Sequence, residues 1–255
     1  MTCALPGSAQ SPPPANVYVF PLMVDGITGG FAFKSIMKIA STDNTTGLNC
    51  TLQQRNTGAQ VTGLDGFLYE TDVLDAGFSP LTQSVIQQHL NRPTEILHTS
   101  GTQAQKTGYA KLSCPNTVQT QLQFAYFDPN NNKIGESTIF PATMGNSFQF
   151  QIDTRDGTRM GFSLVNDSAV QGKQFEVIAR DQFNQVVAFN LNDTVQDFSQ
   201  VSKFVDQELK LPANFFGTIE IVGVPGGQSY AVGLQFTGSI FSTVQPLVRS
   251  TPLPF

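Results

Sequence analysis

Apolar and polar residues alternate with a period of two along most of the chain. Phe148, Phe150 and Ile152 alternate with Gln149 and Gln151, and Tyr230, Val232, Leu234 and Phe236 alternate with small or polar residues. Phe175, Val177 and Ala179 share one parity, and Glu176, Ile178 and Arg180 the other. Successive side chains of a strand point to opposite faces, so this pattern predicts antiparallel sheets packed on one side. Asp128-Pro-Asn-Asn-Asn-Lys133 between two such runs has the residues of a hairpin turn. Two stretches carry helical spacing instead. One has Ser79 as N-cap and Pro80 as first helical residue, followed by Leu81, Val85 and Leu90; the other has Val201, Phe204, Val205 and Leu209.

The blocks recur in order. Phe33–Arg55 aligns without a gap on Thr158–Arg180, placing Gly47 on Gly172, Met37 on Phe162 and Cys50 on Phe175. Phe20–Asp25 falls on Phe148–Asp153, Gly108–Leu112 on Gly217–Ile221, and Leu122-Gln-Phe124 recurs as Leu234-Gln-Phe236. A collinear series of this kind is the mark of an internal repeat. The expectation is an all-β chain of two tandem antiparallel β-sandwich domains, Ig-like or jelly-roll-like. Each has about seven strands and one short helix closing an open end. The boundaries fall at 1–15 for a Pro-rich N-terminal tail, 16–143 for the first repeat and 144–255 for the second. Gly63–Ala76 is an extra excursion of the first repeat.

The blocks Phe20–Gly26, Gly161–Asn166, Phe204–Leu209 and Gly217–Ile221 resemble a module of large secreted proteins of soil and hot-spring bacteria. The likeness covers most of the chain. It implies a tandem β-sandwich at the cell surface and no activity, since none is assigned to that module.

Composition narrows the function classes. Charged residues are 13% of the chain and the formal net charge is −5. Phosphate is therefore repelled, which argues against a nucleic-acid partner. No stretch approaches the ~20 apolar residues that span a membrane. A surface built from Asn, Gln, Ser and Thr suits an extracellular β-protein. Asn44, Asn49, Asn166 and Asn192 each begin an N-x-Ser/Thr sequon for possible glycosylation. Cys3, ahead of the stretch Pro6–Pro14, is placed like the lipidated Cys of a bacterial lipoprotein, without a visible lipobox, or serves as a free or intermolecular thiol.

Catalytic chemistry is thinly represented, and no cofactor or enzyme activity is expected. Both histidines, His89 and His98, lie in the first repeat; no zinc ligand set has suitable spacing. Asp153 and Asp156, in a loop with Gly157, are weak candidates for a Ca²⁺ site, and read more simply as turn residues. Cys50 and Cys114 both have inward parity, and their counterparts Phe175 and Gly223 form a large–small pair able to fill the same space. A disulfide between them is expected.

Val17 and Val19 face opposite to Tyr18, Phe20, Leu22 and Val24, which leaves apolar side chains outside, and Pro21 suggests an edge strand. These three residues are the expected subunit interface of a homo-oligomer or filament that also uses the N-terminal segment. The expected function is a non-catalytic structural protein of the cell surface. A carbohydrate-binding or adhesion module, with surface glycans as partner, is the alternative.

Overall fold

The computed structural model describes residues 16–41, 50–56, 84–86, 94–169, 174–238 and 240–253. The first half contributes β1 (Asn16–Thr28), β2 (Phe31–Ser41), β3 (Cys50–Asn56), β4 (Ser84–Ile86), β5 (Thr94–His98), β6 (Lys106–Cys114), β7 (Val118–Phe127) and β8 (Lys133–Ile139). The second half contributes β9 (Ser147–Asp153), β10 (Arg159–Asn166), β11 (Gln174–Asp181), β12 (Val186–Thr194), β13 (Ser199–Phe204), α1 (Val205–Glu208), β14 (Phe216–Val222), β15 (Ser229–Thr237), β16 (Ile240–Val244) and β17 (Leu247–Arg249).

These strands form an all-β structure of three antiparallel sheets, consistent with a β-sandwich. In the first half β4-β3-β6-β1 continues through the β1–β2 hairpin into β2-β7-β8, with β5 also on β2. The second half forms a five-stranded sheet β12-β11-β14-β9-β17 and a four-stranded sheet β13-β10-β15-β16. Taken strand by strand, β4-β3-β6-β1 has the order of β12-β11-β14-β9, and β5-β2-β7-β8 that of β13-β10-β15-β16. The halves thus share one strand order, as the repeated blocks imply.

Two aligned blocks are out of register: Phe20 holds the place of Phe150 rather than Phe148, and the Leu-Gln-Phe block slips by one. Met37 pairs with Leu122, whereas its counterpart Phe162 pairs with Gly233. Gly233, not Leu234, therefore holds the place of Leu122, and a one-residue slip exchanges the two faces of a strand. A Cβ on Gly233 would lie 2.8 Å from Phe150 and Met160 of its own core. Val232 and Leu234 instead join the first half's cluster with Phe20, Met37, Leu122 and Phe124, and Phe236 packs against it. The second half's own cluster holds Phe148, Phe150, Phe162, Leu164, Phe175 and Ile219. The central strands β10 and β15 of the four-stranded sheet are consequently buried on both faces, with their own half on one side and the first half on the other.

Aromatic side chains carry this packing across the halves. Tyr126 and Phe124 of β7 meet Phe241 of β16 at ring-centre distances of 5.3 and 4.6 Å. Phe241 in turn meets Phe236, which meets Phe204. The facing edges β8 and β16 are joined by side chains, Ser137 Oγ accepting from Thr243 N (3.0 Å) and Thr243 Oγ1 donating to Thr138 O (2.6 Å).

Two local expectations change. The stretch Val201–Leu209 is strand β13 followed by the single turn α1, because Ser199–Phe204 ladders onto β10 throughout. In the first half, 84–86 is strand and the rest of the expected helix lies outside the described residues. The hairpin at Asp128 forms as expected, its carboxylate accepting from Asn130 N and Asn132 N with Asn131 at φ 63°. Asp181 repeats this device between β11 and β12, accepting from Phe183 N and Gln185 N with Asn184 also at φ 63°.

Cys50 and Cys114 stand on neighbouring antiparallel strands with sulfurs 2.06 Å apart and Cα atoms 4.2 Å apart. The ladders place Phe175 and Gly223 in the corresponding positions. A Cys50→Ala/Cys114→Ala protein should lose about 2–4 kcal/mol of unfolding free energy. Cys50→Phe/Cys114→Gly, which copies the second half, should recover part of that loss in urea titrations. Unfolded, unreduced protein should show one reactive thiol and reduced protein three.

Candidate assembly surface

The strands β3, β6 and β1 turn one face to the first core and the other to the second half. On that outer face lie Arg55, Tyr109, Lys111, Val19 and Pro21. Val19, Tyr109 and Val165 of β10 form a closed apolar cluster with Tyr230 packed against it. Ser163 Oγ donates to the Pro21 carbonyl at 2.6 Å, and the Arg55 guanidinium lies 4.5 Å above the Phe198 ring. Tyr109 Oη donates to one carboxylate oxygen of the buried Asp167 at 2.7 Å, while Lys111 Nζ pairs with the other. Burial, reinforced by the Asp167 charge, pushes the Tyr109 hydroxyl far above the ordinary tyrosine range. The same two causes raise Tyr230.

This geometry corrects the expected subunit interface. The segment 16–25 of β1 pairs with β6 alone, apart from a bridge from Val19 to Ala142, because the ladder with β2 covers only Gly26–Thr28; it is a sheet edge as expected, but its outward side chains are not a free interface. Pro21 sits where the β1–β6 register shifts between Phe20 and Met23, and a bulge tolerates a residue without an N–H as well as an edge does. Val19 is 1% exposed because the second half of the same chain covers it; Val17 stays 48% exposed.

The corresponding face of the second half is covered in part: Ile178, Arg180 and Glu220 are buried and Leu253 N reaches Glu220, while Gln149, Gln151 and Thr218 stay at least partly accessible. Arg55 pairs with Tyr109 and Arg180 with Thr218; Val19 pairs with Lys111 and Gln149 with Glu220. Thr218 thus holds the place of Tyr109, Gln149 that of Val19, and Gln151, opposite Thr218, that of the Pro21 bulge. Even the connection recurs. Ala142, between β8 and β9, bridges to Val19, and Leu247 of β17 pairs with Gln149. A groove of about 430 Å³ opens at this place, lined by Gln149, Gln151, Thr218 and Phe216 from the sheet and by Gln182 and Asn184 from the β11–β12 turn. Gly217 lets β14 approach β11 here, since a Cβ would fall 2.1 Å from the Arg180 carbonyl oxygen.

The rim is internally paired. Arg180 and Glu220 are both buried and 3.7 Å apart; Glu220 also accepts from Ser147 Oγ (2.6 Å) and from Leu253 N (2.9 Å), so the C-terminal segment holds one corner. Arg155 clamps Asp153 at 2.6 and 2.9 Å and lies 4.5 Å above the Phe216 ring. Hydrogen bonds from Arg155 hold the Asp153 carboxyl down at about 2.

The other sequence candidates are scattered. Asp153 is taken up by Arg155, while Asp156 is exposed in the turn. Asn166 is fully buried and donates to the Gln196 carbonyl at 3.2 Å, so its sequon is not an accessible acceptor. Asn192 is exposed on β12. Asn44, Asn49, Cys3 and His89 lie outside the described residues, and His98 ends β5 half-buried, opposite Ile36. Edge strand β12 exposes Phe189, with Phe183 at the preceding turn, but carries two register shifts against β11, which leave little regular ladder for a partner strand. No helix among the described residues is long and apolar enough to cross a membrane.

Fold and site define a disulfide-bonded, all-β protein of three antiparallel sheets. Comparison with family models, with curated proteins and with solved structures gives no match.

The buried hydroxyls make an alkaline prediction. A raised folded-state pKa keeps its stabilisation below about pH 10, the unfolded tyrosine value, and loses it as pH rises further. Urea midpoints should therefore fall as pH rises above about 10. Tyr109→Phe should flatten that slope and cost about 1–3 kcal/mol at neutral pH by removing a donor from buried Asp167.

Proposed function

We propose that the protein is a non-catalytic, extracellular structural protein, a subunit of a cell-surface filament, fibre or layer. Its building units are tandem sandwiches of Ig-like or jelly-roll-like kind, and it assembles through its N-terminal segment and its outer sheet surfaces. The observation that carries this reading is that the two halves share one strand order and that one outer sheet face of the first half is packed against the second. Such an arrangement is suited to extension by further units. The Cys50–Cys114 bridge fits an oxidising compartment, and the exposed Asn192 sequon fits an extracellular surface. A second reading, carbohydrate binding or adhesion, draws support from the amide-lined groove at Gln151, Gln182 and Asn184, beside the exposed Phe183.

Sedimentation velocity over a hundredfold range of concentration, with negative-stain electron microscopy, tests the reading. Species that grow with concentration are expected, ending in filaments or sheets, and deletion of residues 1 to 15 should shorten them. A 27.6 kDa monomer at every concentration would count against self-assembly.

A further inference from the structure

We propose that Lys203 and Asp193 condense into an intramolecular amide, with Glu208 carrying the protons, so that the second half staples its two sheets together. The inference goes beyond the structural-subunit reading and stands whether or not the chain assembles. The three side chains come from β13, β12 and α1. Asp193 lies opposite Phe175 in the ladder of β12 with β11, and Lys203 opposite Phe162 in the ladder of β13 with β10. Phe162 and Phe175 meet edge to face inside the second core, with ring centres 6.2 Å apart. Asp193 and Lys203 therefore reach towards each other from the core sides of the two sheets. Lys203 Nζ donates to Asp193 Oδ2 and lies 2.9 Å from Glu208 Oε1. Asn190 Nδ2 donates to Glu208 Oε2 at 3.1 Å. The side chains of Asp193 and Glu208 are 13% and 11% exposed, so little water reaches them. In the first half, register places Ile86 opposite Cys50 and Leu97 opposite Met37, the positions of Asp193 and Lys203. A buried ion pair adds little stability over an apolar one, so packing alone does not call for charges here.

The arrangement supplies a nucleophile, an electrophile and a proton carrier. A nitrogen in hydrogen-bond contact with a carboxylate oxygen lies about 3–3.5 Å from its carbon, the range of near-attack conformers. Burial raises the Glu208 carboxyl above the usual range, and its hydrogen bond to Asp193 raises it further. Burial opposes the charge of Asp193, but hydrogen bonds from Glu208 and Lys203 outweigh it and hold that carboxyl low. The resting group is thus an ammonium, a carboxylate and a neutral acid. A proton first passes along the hydrogen bond from Nζ to the Asp193 carboxyl. The neutral Nζ attacks Cγ, while Glu208 gives its proton to the developing oxyanion and takes one from Nζ. One hydroxyl then leaves Cγ as water, with protons relayed by Glu208, which ends protonated as it began. The Nζ–Cγ bond forms, one Cγ–O bond breaks, one water leaves, and nothing is oxidised or reduced.

Mass spectrometry of the full chain, denatured and with its disulfide reduced, tests this. The wild type, held folded at neutral pH until its mass is constant, should weigh one water less than its sequence. Trypsin should then leave residues 181–210 as one peptide that carries the loss and is uncut after Lys203, the cleavage site inside it. Lys203→Arg keeps the charge without the nucleophile; it should have its full sequence mass and be cut at position 203. Glu208→Gln should lower the crosslinked fraction of freshly purified protein by about tenfold or more. A wild type of full sequence mass, cut after Lys203, would show an ion pair alone and overturn the proposal. So would a water loss that persists in Lys203→Arg, since it would come from another residue. Glu208→Gln protein crosslinked as fully as the wild type would remove Glu208 from the reaction.

Discussion

The four-stranded sheet β13-β10-β15-β16 has no solvent face along its centre, and the rest of the molecule is arranged around that constraint. Antiparallel sheets ordinarily turn one face to water. Here Met160, Phe162 and Leu164 of β10 face one core, and Ser163 and Val165 of the same strand face the other half. β15 divides likewise: Ala231 goes to its own core, Val232 and Leu234 to the first. Small residues serve the crowded side, where Gly233 admits Phe150 and Met160, and large ones serve the interface. The first half is correspondingly incomplete without its partner, since Phe241 stacks on Phe124 between β7 and β16.

Polar groups at the junction add register to this packing. An apolar face alone tolerates sliding; a buried Asp167 that accepts from Tyr109 and pairs with Lys111 does not, because a shift leaves a charge unpaired in a dry site. The Ser163–Pro21 hydrogen bond works in the same way, engaging a carbonyl at the bulge in β1. In the second half, Thr218 and Glu220 replace Tyr109 and Lys111, and the equivalent face turns to solvent, the C-terminal segment and the groove. One fold position thus serves as a joint between the halves in the first and as a partly accessible face in the second.

Much of the fold was legible because strand periodicity and hairpin chemistry are local. The strand runs, the Asp128 turn, the repeated order and the facing of Cys50 with Cys114 all follow from parity and spacing. Errors arose where a pattern had two physical solutions. Leu-Gln-Phe occurs twice, yet one copy faces its own core and the other its neighbour, since parity shows that a strand has two faces without showing what each meets. Pro21 fits an edge or a bulge, and β1 has both at that place. Val201 and Phe204 satisfy helical spacing, but Val201 packs on the second core from a strand and Phe204 stacks on Phe236. The groove has no sequence motif, because Gln149, Gln151, Thr218 and Asn184 come from three segments and look like ordinary surface residues.

The central claim is that the two halves form one body through the doubly buried sheet. Its most direct test is urea unfolding of the fragment 144–255 beside the full chain, followed by tyrosine fluorescence and far-ultraviolet circular dichroism, with dye binding as a probe of exposed apolar surface. The full chain should unfold in one transition seen alike by both probes. The fragment should unfold at lower urea and bind the dye, since Val165, Tyr230, Leu234, Phe236 and Phe241 lose their cover. A monomeric fragment that excludes the dye and unfolds at the full-length midpoint would contradict the account.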